Sequence, residues 1–223
     1  QTPNLTEVTI PSTLATIGEQ AFKYSGITGE LDFPDTLKTI SNFAFEGAVN
    51  VTAISLGAGI TSIGEAAFRG CASLTTTSID HQSPLTAIGR EAFAGTMLKS
   101  ITVPKNITVI LSGVFRDNPE LESVYLAEPF IKEGTTKLTG ITSIRDYAFY
   151  NTPKLKTIAT YDTTVEELTL TSPLNEVTLP STVNEFGIQR STGFVLPKAE
   201  LQKSPSLTTF PYFHPIFLKM RSI

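Results

Sequence analysis

The sequence predicts a right-handed, mostly β solenoid, in which coils of about 23 residues stack around one shared core. Three observations predict it. A phenylalanine, usually preceded by alanine, recurs along the chain, a paired apolar step precedes each one, and an alternating apolar run follows. Six units carry all three features in the same order.

The step comes first in each unit. It reads Leu14/Ile17-Gly18, Leu37/Ile40, Ile60/Ile63-Gly64, Leu85/Ile88-Gly89, Ile107/Ile110 and Ile141/Ile144, and it predicts a short extended segment. The anchor follows as Ala21-Phe22, Ala44-Phe45, Ala67-Phe68, Ala92-Phe93, Val114-Phe115 and Ala148-Phe149. Successive phenylalanines are 23, 23, 25, 22 and 34 residues apart, the last gap being widened by an insertion at 127–138. The anchor is expected on a short helical or 3₁₀ turn, where alanine lets the backbone approach the core and phenylalanine fills the space beneath. Gly47, Gly70 and Gly95 follow the anchor where a turn with positive φ is expected.

The run closes the unit: Val51/Ile54/Leu56, Leu74/Thr77/Ile79, Leu98/Ile101/Val103, Leu121/Val124/Leu126 and Leu155/Ile158/Thr160, with Leu5/Val8/Ile10 opening the chain in the same register. Alternation at period two predicts strands with Leu, Val and Ile inward and the residues between outward. Pro11, Pro34 and Pro104 end strands where no ladder donor is needed. One unit cannot bury its own apolar face, so stacking supplies the core.

Residues 1–223 are read as one solenoid domain, regular over 1–160. Beyond that, Leu174 to Pro180 repeats a strand and Val183/Phe186-Gly187 repeats the step, but no Ala-Phe follows. Residues 161–223, including the aromatic stretch Phe210 to Met220, are therefore degenerate repeats or a C-terminal cap.

These residues resemble the BspA-like leucine-rich repeats of bacterial surface proteins. The pattern Leu-x-x-Ile-x-x-Ala-Phe-x-Gly-Cys-x-x-Leu-x-x-Val-x-Ile-Pro is followed closely from Ile60 to Ile79. The resemblance implies a leucine-rich-repeat solenoid with its parallel sheet on the concave side. It also implies a surface or secreted module for adhesion or protein interaction, some relatives binding matrix proteins. The alternative is an inert spacer within a larger surface protein.

Composition narrows the classes. Hydrophobic residues at 40% and charged residues at 17% suit a folded core, and a net charge of -4 gives no footprint for nucleic acid. No apolar run approaches the ~20 residues needed to span a bilayer, and Gln1 does not open a signal peptide. An extracellular or surface location therefore implies a signal or anchor segment already removed. Cys71 alone permits no intrachain disulfide.

The outward strand positions form the candidate binding face: Glu7, Thr9, Glu30, Asp32, Ala53, Ser55, Thr76, Ser78, Ser100, Thr102, Ser123, Tyr125, Thr157, Ala159, Glu176 and Thr178. Nine of the sixteen are Ser or Thr, four are acidic and none is Lys or Arg. Eight strands at ~4.8 Å spacing would make a strip roughly 35–40 Å long. Such a strip suits an extended protein segment or a glycan, although threonine is also simply a good strand residue. A second candidate contact is Phe130 and Ile131 in the insertion.

Other chemistry finds little support. Glu7, Glu30 and Asp32 fall on neighbouring strands, but no calcium loop accompanies them. Cys71 shares its place in the unit with Ser25, Ala48, Thr96, Asn118 and Thr152, which reads as a tight packing site. His81 and His214 have no nucleophile motif beside them, and neither a His/Cys metal spacing nor a phosphate-cradling loop occurs. No catalytic residue, metal or cofactor is expected. The tripeptides at Asn4, Asn50 and Asn106 match the N-glycosylation pattern, which a threonine-rich chain produces readily by chance.

Overall fold

The computed structural model describes residues 2–127 and 143–155, together with the backbone of two further strands, 157–161 and 185–186. It is a parallel β-solenoid. Each coil contributes a two-residue strand at the step and a longer strand at the run. The step strands are β1 (Thr16–Ile17), β3 (Thr39–Ile40), β5 (Ser62–Ile63), β7 (Ala87–Ile88), β9 (Val109–Ile110), β11 (Ser143–Ile144) and β13 (Glu185–Phe186). The longer strands are β2 (Gly29–Asp32), β4 (Val51–Ser55), β6 (Thr76–Ser78), β8 (Ser100–Val103), β10 (Ser123–Ala127) and β12 (Thr157–Tyr161).

Every pairing is parallel and joins equivalent residues of adjacent coils. Ile17, Ile40, Ile63 and Ile88 align along one ladder, and Ile110, Ile144 and Phe186 along another. Phe186 thus occupies the isoleucine position of the step, as its spacing from Val183 predicts. The opening segment differs from expectation. Residues 5–10 form no regular strand and are tied to β2's coil by Thr28 N donating to Thr6 O at 3.1 Å, although Leu5, Val8 and Ile10 still pack on the core.

The core is a column of phenylalanines. Phe22, Phe45, Phe68, Phe93, Phe115 and Phe149 stack in that order, with centroids 5.0, 5.3, 5.5, 6.1 and 5.6 Å apart and interplanar angles of 17° or less. Phe115 and Phe149 stack across the longest sequence gap, so the column is continuous on either side of the insertion. Such offset pairs add about 0.5–1.5 kcal/mol beyond the area buried.

The Ala-Phe turns are not helical. Among the described residues no helix occurs, and each anchor lies in consecutive β-turns with left-handed residues on both sides. The residue two before each Phe has positive φ: Gln20, Phe43, Ala66, Glu91, Gly113 and Tyr147, from 50° to 68°. The residue two after does so as well: Tyr24, Gly47, Gly70, Gly95, Asp117 and Asn151, from 53° to 70°. Hydrogen bonding explains the preference. A helix would use every amide within its own coil. Here alternate amides close turns, as Ala44, Glu46 and Ala48 N do onto Ser41, Phe43 and Phe45 O. The amides between them reach the next coil, Phe45 N to Ala67 O at 2.8 Å and Gly47 N to Arg69 O at 2.7 Å. Cross-coil bonds therefore clamp this side as ladders clamp the other.

Both ladders break at the same level. The β2-β4-β6 sheet is separate from β8-β10-β12, and β1-β3-β5-β7 from β9-β11-β13. Two extra residues in the loop Ile79 to Pro84 shift the backbone register there, while the phenylalanine column runs on. At this seam Thr77 takes the inward register of Ile54, and its hydroxyl is buried without a hydrogen-bond partner.

Candidate binding face

Parallel register turns the outward residues of the longer strands into two rows. Glu30, Ala53 and Thr76 align in the first row, and Asp32, Ser55 and Ser78 in the second. Past the seam, Ser100, Ser123 and Thr157 continue the first row, and Thr102, Tyr125 and Ala159 the second. Glu30, Asp32, Thr76, Ser78 and Ser100 are exposed, while Ala53, Ser55, Thr102, Ser123 and Tyr125 are half-buried. Within each of the two sheets, neighbouring residues of a row are one strand spacing apart, about 4.8 Å. The described part of the face is thus six strands wide.

Other expected positions fare differently. Glu7 and Thr9 are exposed but lie on the irregular opening segment, outside any ladder. Glu176 and Thr178, the insertion pair Phe130 and Ile131, and His214 lie outside the described residues. Glu7, Glu30 and Asp32 form no cation cage: among the described residues no three His, Cys, Asp or Glu gather as a metal site.

The Cys71 position has a definite structural task. Ser25, Ala48, Cys71, Thr96, Asn118 and Thr152 are all buried. Four polar members bond the carbonyl of an anchor phenylalanine: Cys71 Sγ donates to Phe45 O at 3.2 Å, Thr96 Oγ1 to Phe93 O at 3.3 Å, Thr152 Oγ1 to Phe149 O at 2.8 Å, and Asn118 Nδ2 to Phe93 and Phe115 O at 2.8 and 2.9 Å, while the Ser25 hydroxyl is buried without a partner. Burial pushes the Cys71 thiol up to about 12, against a smaller opposing effect of a backbone hydrogen bond from Ala48. It is not a nucleophile at neutral pH.

Two features escape the sequence reading. On the turn side, charges alternate from coil to coil: Glu46 pairs with Lys23 at 2.6 Å and with Arg69, Arg69 reaches Glu91 at 2.7 Å, and Arg116 meets Glu91 at 3.4 Å. The signal was present in the spacing, since each partner sits one coil, 22 to 25 residues, from the next. Burial pushes the Glu46 carboxyl up, but the Lys23 and Arg69 partners outweigh it and hold the group below its usual value.

The second is a groove of about 730 Å³ at the C-terminal ends of β2, β4 and β6, reaching Thr102 of β8. Its floor is low because β4 exits through Gly57-Ala58-Gly59, which carries almost no side-chain bulk. Pro34-Asp35 and Asp80-His81 stand on either side. The glycines are required by packing: a Cβ on Gly57 would lie 2.4 Å from Pro34 C, and one on Gly59 1.8 Å from Asp35 O.

Comparison with known proteins agrees with this architecture. The chain matches the model for the BspA type leucine rich repeat region in six copies, over residues 1–122 and 134–194. Among solved structures, a leucine rich cell surface protein of Faecalibacterium prausnitzii is 25% identical with a TM-score of 0.51, covering 60% of this chain and 32% of its own. A leucine-rich repeat protein of Bacteroides ovatus is 22% identical with a TM-score of 0.55, covering 84% of this chain and 52% of its own. The pneumococcal vaccine antigen PcpA is 17% identical with a TM-score of 0.51, covering 87% and 52%. The last two likenesses concern the fold alone. This chain spans between about a third and about half of those three structures. A search of curated proteins finds no match. A family match over most of the chain, on a solenoid whose coils repeat the anchor, step and strand in register, makes this chain a member of the BspA-type leucine-rich-repeat family.

Proposed function

We propose that this chain is a protein-interaction module that presents the outward face of its longer strands to an extended partner at the cell surface. The observation that carries this reading is the register: Glu30, Asp32, Ser55, Thr76, Ser78, Ser100, Thr102, Ser123 and Tyr125 fall into two rows, evenly spaced within each of two three-stranded sheets. The hydroxyls and carboxylates of these rows offer hydrogen-bond partners to the backbone and side chains of an extended chain laid across the strands. The surface location rests on similarity to the F. prausnitzii cell surface protein. The face carries hydroxyls for hydrogen bonding and Tyr125 as an aromatic contact.

The test is a binding screen of the purified chain against extracellular matrix proteins and a glycan panel. It is repeated with Thr76→Ala/Ser100→Ala/Tyr125→Phe. At least one protein should be retained at about micromolar concentration, and the triple variant should weaken it about tenfold while melting within a few degrees of the parent. A glycan partner would replace the protein reading. Retention of nothing would leave the chain as a spacer, and a triple variant that binds as the parent does would overturn the strand face as the binding surface.

A further inference from the structure

We infer that the groove at the strand exits binds an extended peptide segment carrying a lysine or arginine two residues from an apolar side chain, and so forms the specificity end of the proposed binding face. This rests on the display reading and adds where a partner docks and what chemistry it brings. The groove is built rather than incidental. The loop after β6 holds two residues more than those after β2 and β4, and it rises as a wall where the sheet is interrupted. The walls are fixed by hydrogen bonds: Asp35 Oδ1 accepts from Ala58 N at 2.7 Å, and Asp80 Oδ1 from Gln82 N at 2.7 Å. A partner therefore meets a preformed site, which lowers the ordering cost of binding.

The lining specifies the partner. Phe33 and Ile79 form a buried apolar floor, and Leu56 is half-buried between them. Asp32, Asp35 and Asp80 are the charged side chains at the rim, His81 stands beside Asp80 with Nδ1 3.5 Å from Oδ1, and no lysine or arginine lines the groove. Two lysines approach from outside the lining: Lys105 is bonded to Gln82, and Lys38 Nζ lies over Gly59. Ser55, Ser78 and Thr102 belong both to the lining and to the second outward row, so a segment seated in the groove continues onto the face. Three carboxylates focus a negative potential over a low-dielectric floor, which attracts a cationic side chain and repels acidic peptides and acidic glycans. The apolar floor takes the side chain two residues away, since alternate residues of an extended segment point the same way.

The experiment uses the whole chain and fluorescein-labelled peptides of about eight residues, long enough to cross four strands. One carries lysine and leucine in turn at every second position with serine between them, one replaces each lysine by glutamine, and one by glutamate. Binding is read by fluorescence polarisation at low and at moderate salt. The parent should bind the lysine peptide at least about fivefold better than the glutamine peptide, should not bind the glutamate peptide, and should weaken with salt. Asp32→Asn/Asp80→Asn should lose at least about fivefold for the lysine peptide; asparagine at 80 keeps the oxygen that accepts from Gln82 N. The control Glu19→Gln/Glu65→Gln makes the same change in net charge away from the groove and should bind as the parent. Equal binding of the glutamine peptide overturns the inference, as does equal loss in the control, no loss in the Asp32/Asp80 variant, or no lysine-peptide binding at all. In each case Thr76→Ala/Ser100→Ala/Tyr125→Phe still tests the display reading separately, because those three residues lie outside the groove lining.

Discussion

Two buried groups carry opposite titration logic. Cys71 sits in the core with its thiol pushed up to about 12 by burial, so it stays protonated and shielded at any neutral pH. A disulfide reagent at pH 8 should leave the native chain unlabelled and modify one thiol per chain once urea unfolds it. Labelling of the native chain would mean that the Phe45 carbonyl contact is absent. Glu46 is held below its usual value because Lys23 and Arg69 outweigh its burial. A depressed carboxyl contributes stability above its unfolded value near 4.5, and that contribution is lost as pH falls through the lower folded value. Glu46→Gln should therefore cost about 1–2 kcal/mol at pH 7. Urea melts at pH 7 and pH 3 should show the gap between parent and variant closing in acid.

The elements differ in how far the residues disclose them. The phenylalanine spacing locates the coils from Phe22 to Phe149, and the step pattern places even Phe186 opposite Ile144, because burial of one apolar face at a fixed period is a strong constraint. The outward rows follow directly from strand alternation. The anchor turn differs from the helical turn its residues suggest. Alanine and phenylalanine permit a helix locally, and only the next coil's carbonyls decide for alternating left-handed residues; a residue such as Glu91 or Tyr147 at positive φ gives no local hint. The groove was hidden for a similar reason, since Gly57-Ala58-Gly59 reads as an ordinary turn until its neighbours stand beside it. Contact between coils also makes equivalent glycines unequal. A Cβ on Gly89 would sit 2.4 Å from Gly64 C and Glu65 N, whereas one on Gly18 meets nothing within 4 Å. Gly89→Ala should destabilise by about 2–3 kcal/mol and Gly18→Ala by no more than about 0.5 kcal/mol, measured by urea unfolding. Equal effects would deny the close approach of successive coils.

At the scale of the whole molecule, each coil touches only its neighbours, so stability is a sum of local interfaces and function is spread along a surface. The seam between β6 and β8 is the weak level of this column. There both ladders stop, and Thr77 leaves a hydroxyl unpartnered inside. Thr77→Val removes that orphan with little change of shape and should stabilise the chain by about 1 kcal/mol, seen as a higher melting temperature. A loss of stability would mean the hydroxyl is satisfied. The same seam raises the wall of the groove, so the widened loop that interrupts the sheet also shapes the face offered to a partner.

The stacked aromatic column is the support for every surface feature, and a double-mutant cycle in urea unfolding tests it most directly. Phe68→Leu and Phe93→Leu, whose rings stack at 5.5 Å, should couple by about 0.5–1.5 kcal/mol. Phe45→Leu and Phe115→Leu, separated by two intervening rings, should add within about 0.5 kcal/mol. Additive effects for the adjacent pair, or little loss of stability from any of the four substitutions, would contradict a solenoid held together by a continuous phenylalanine stack.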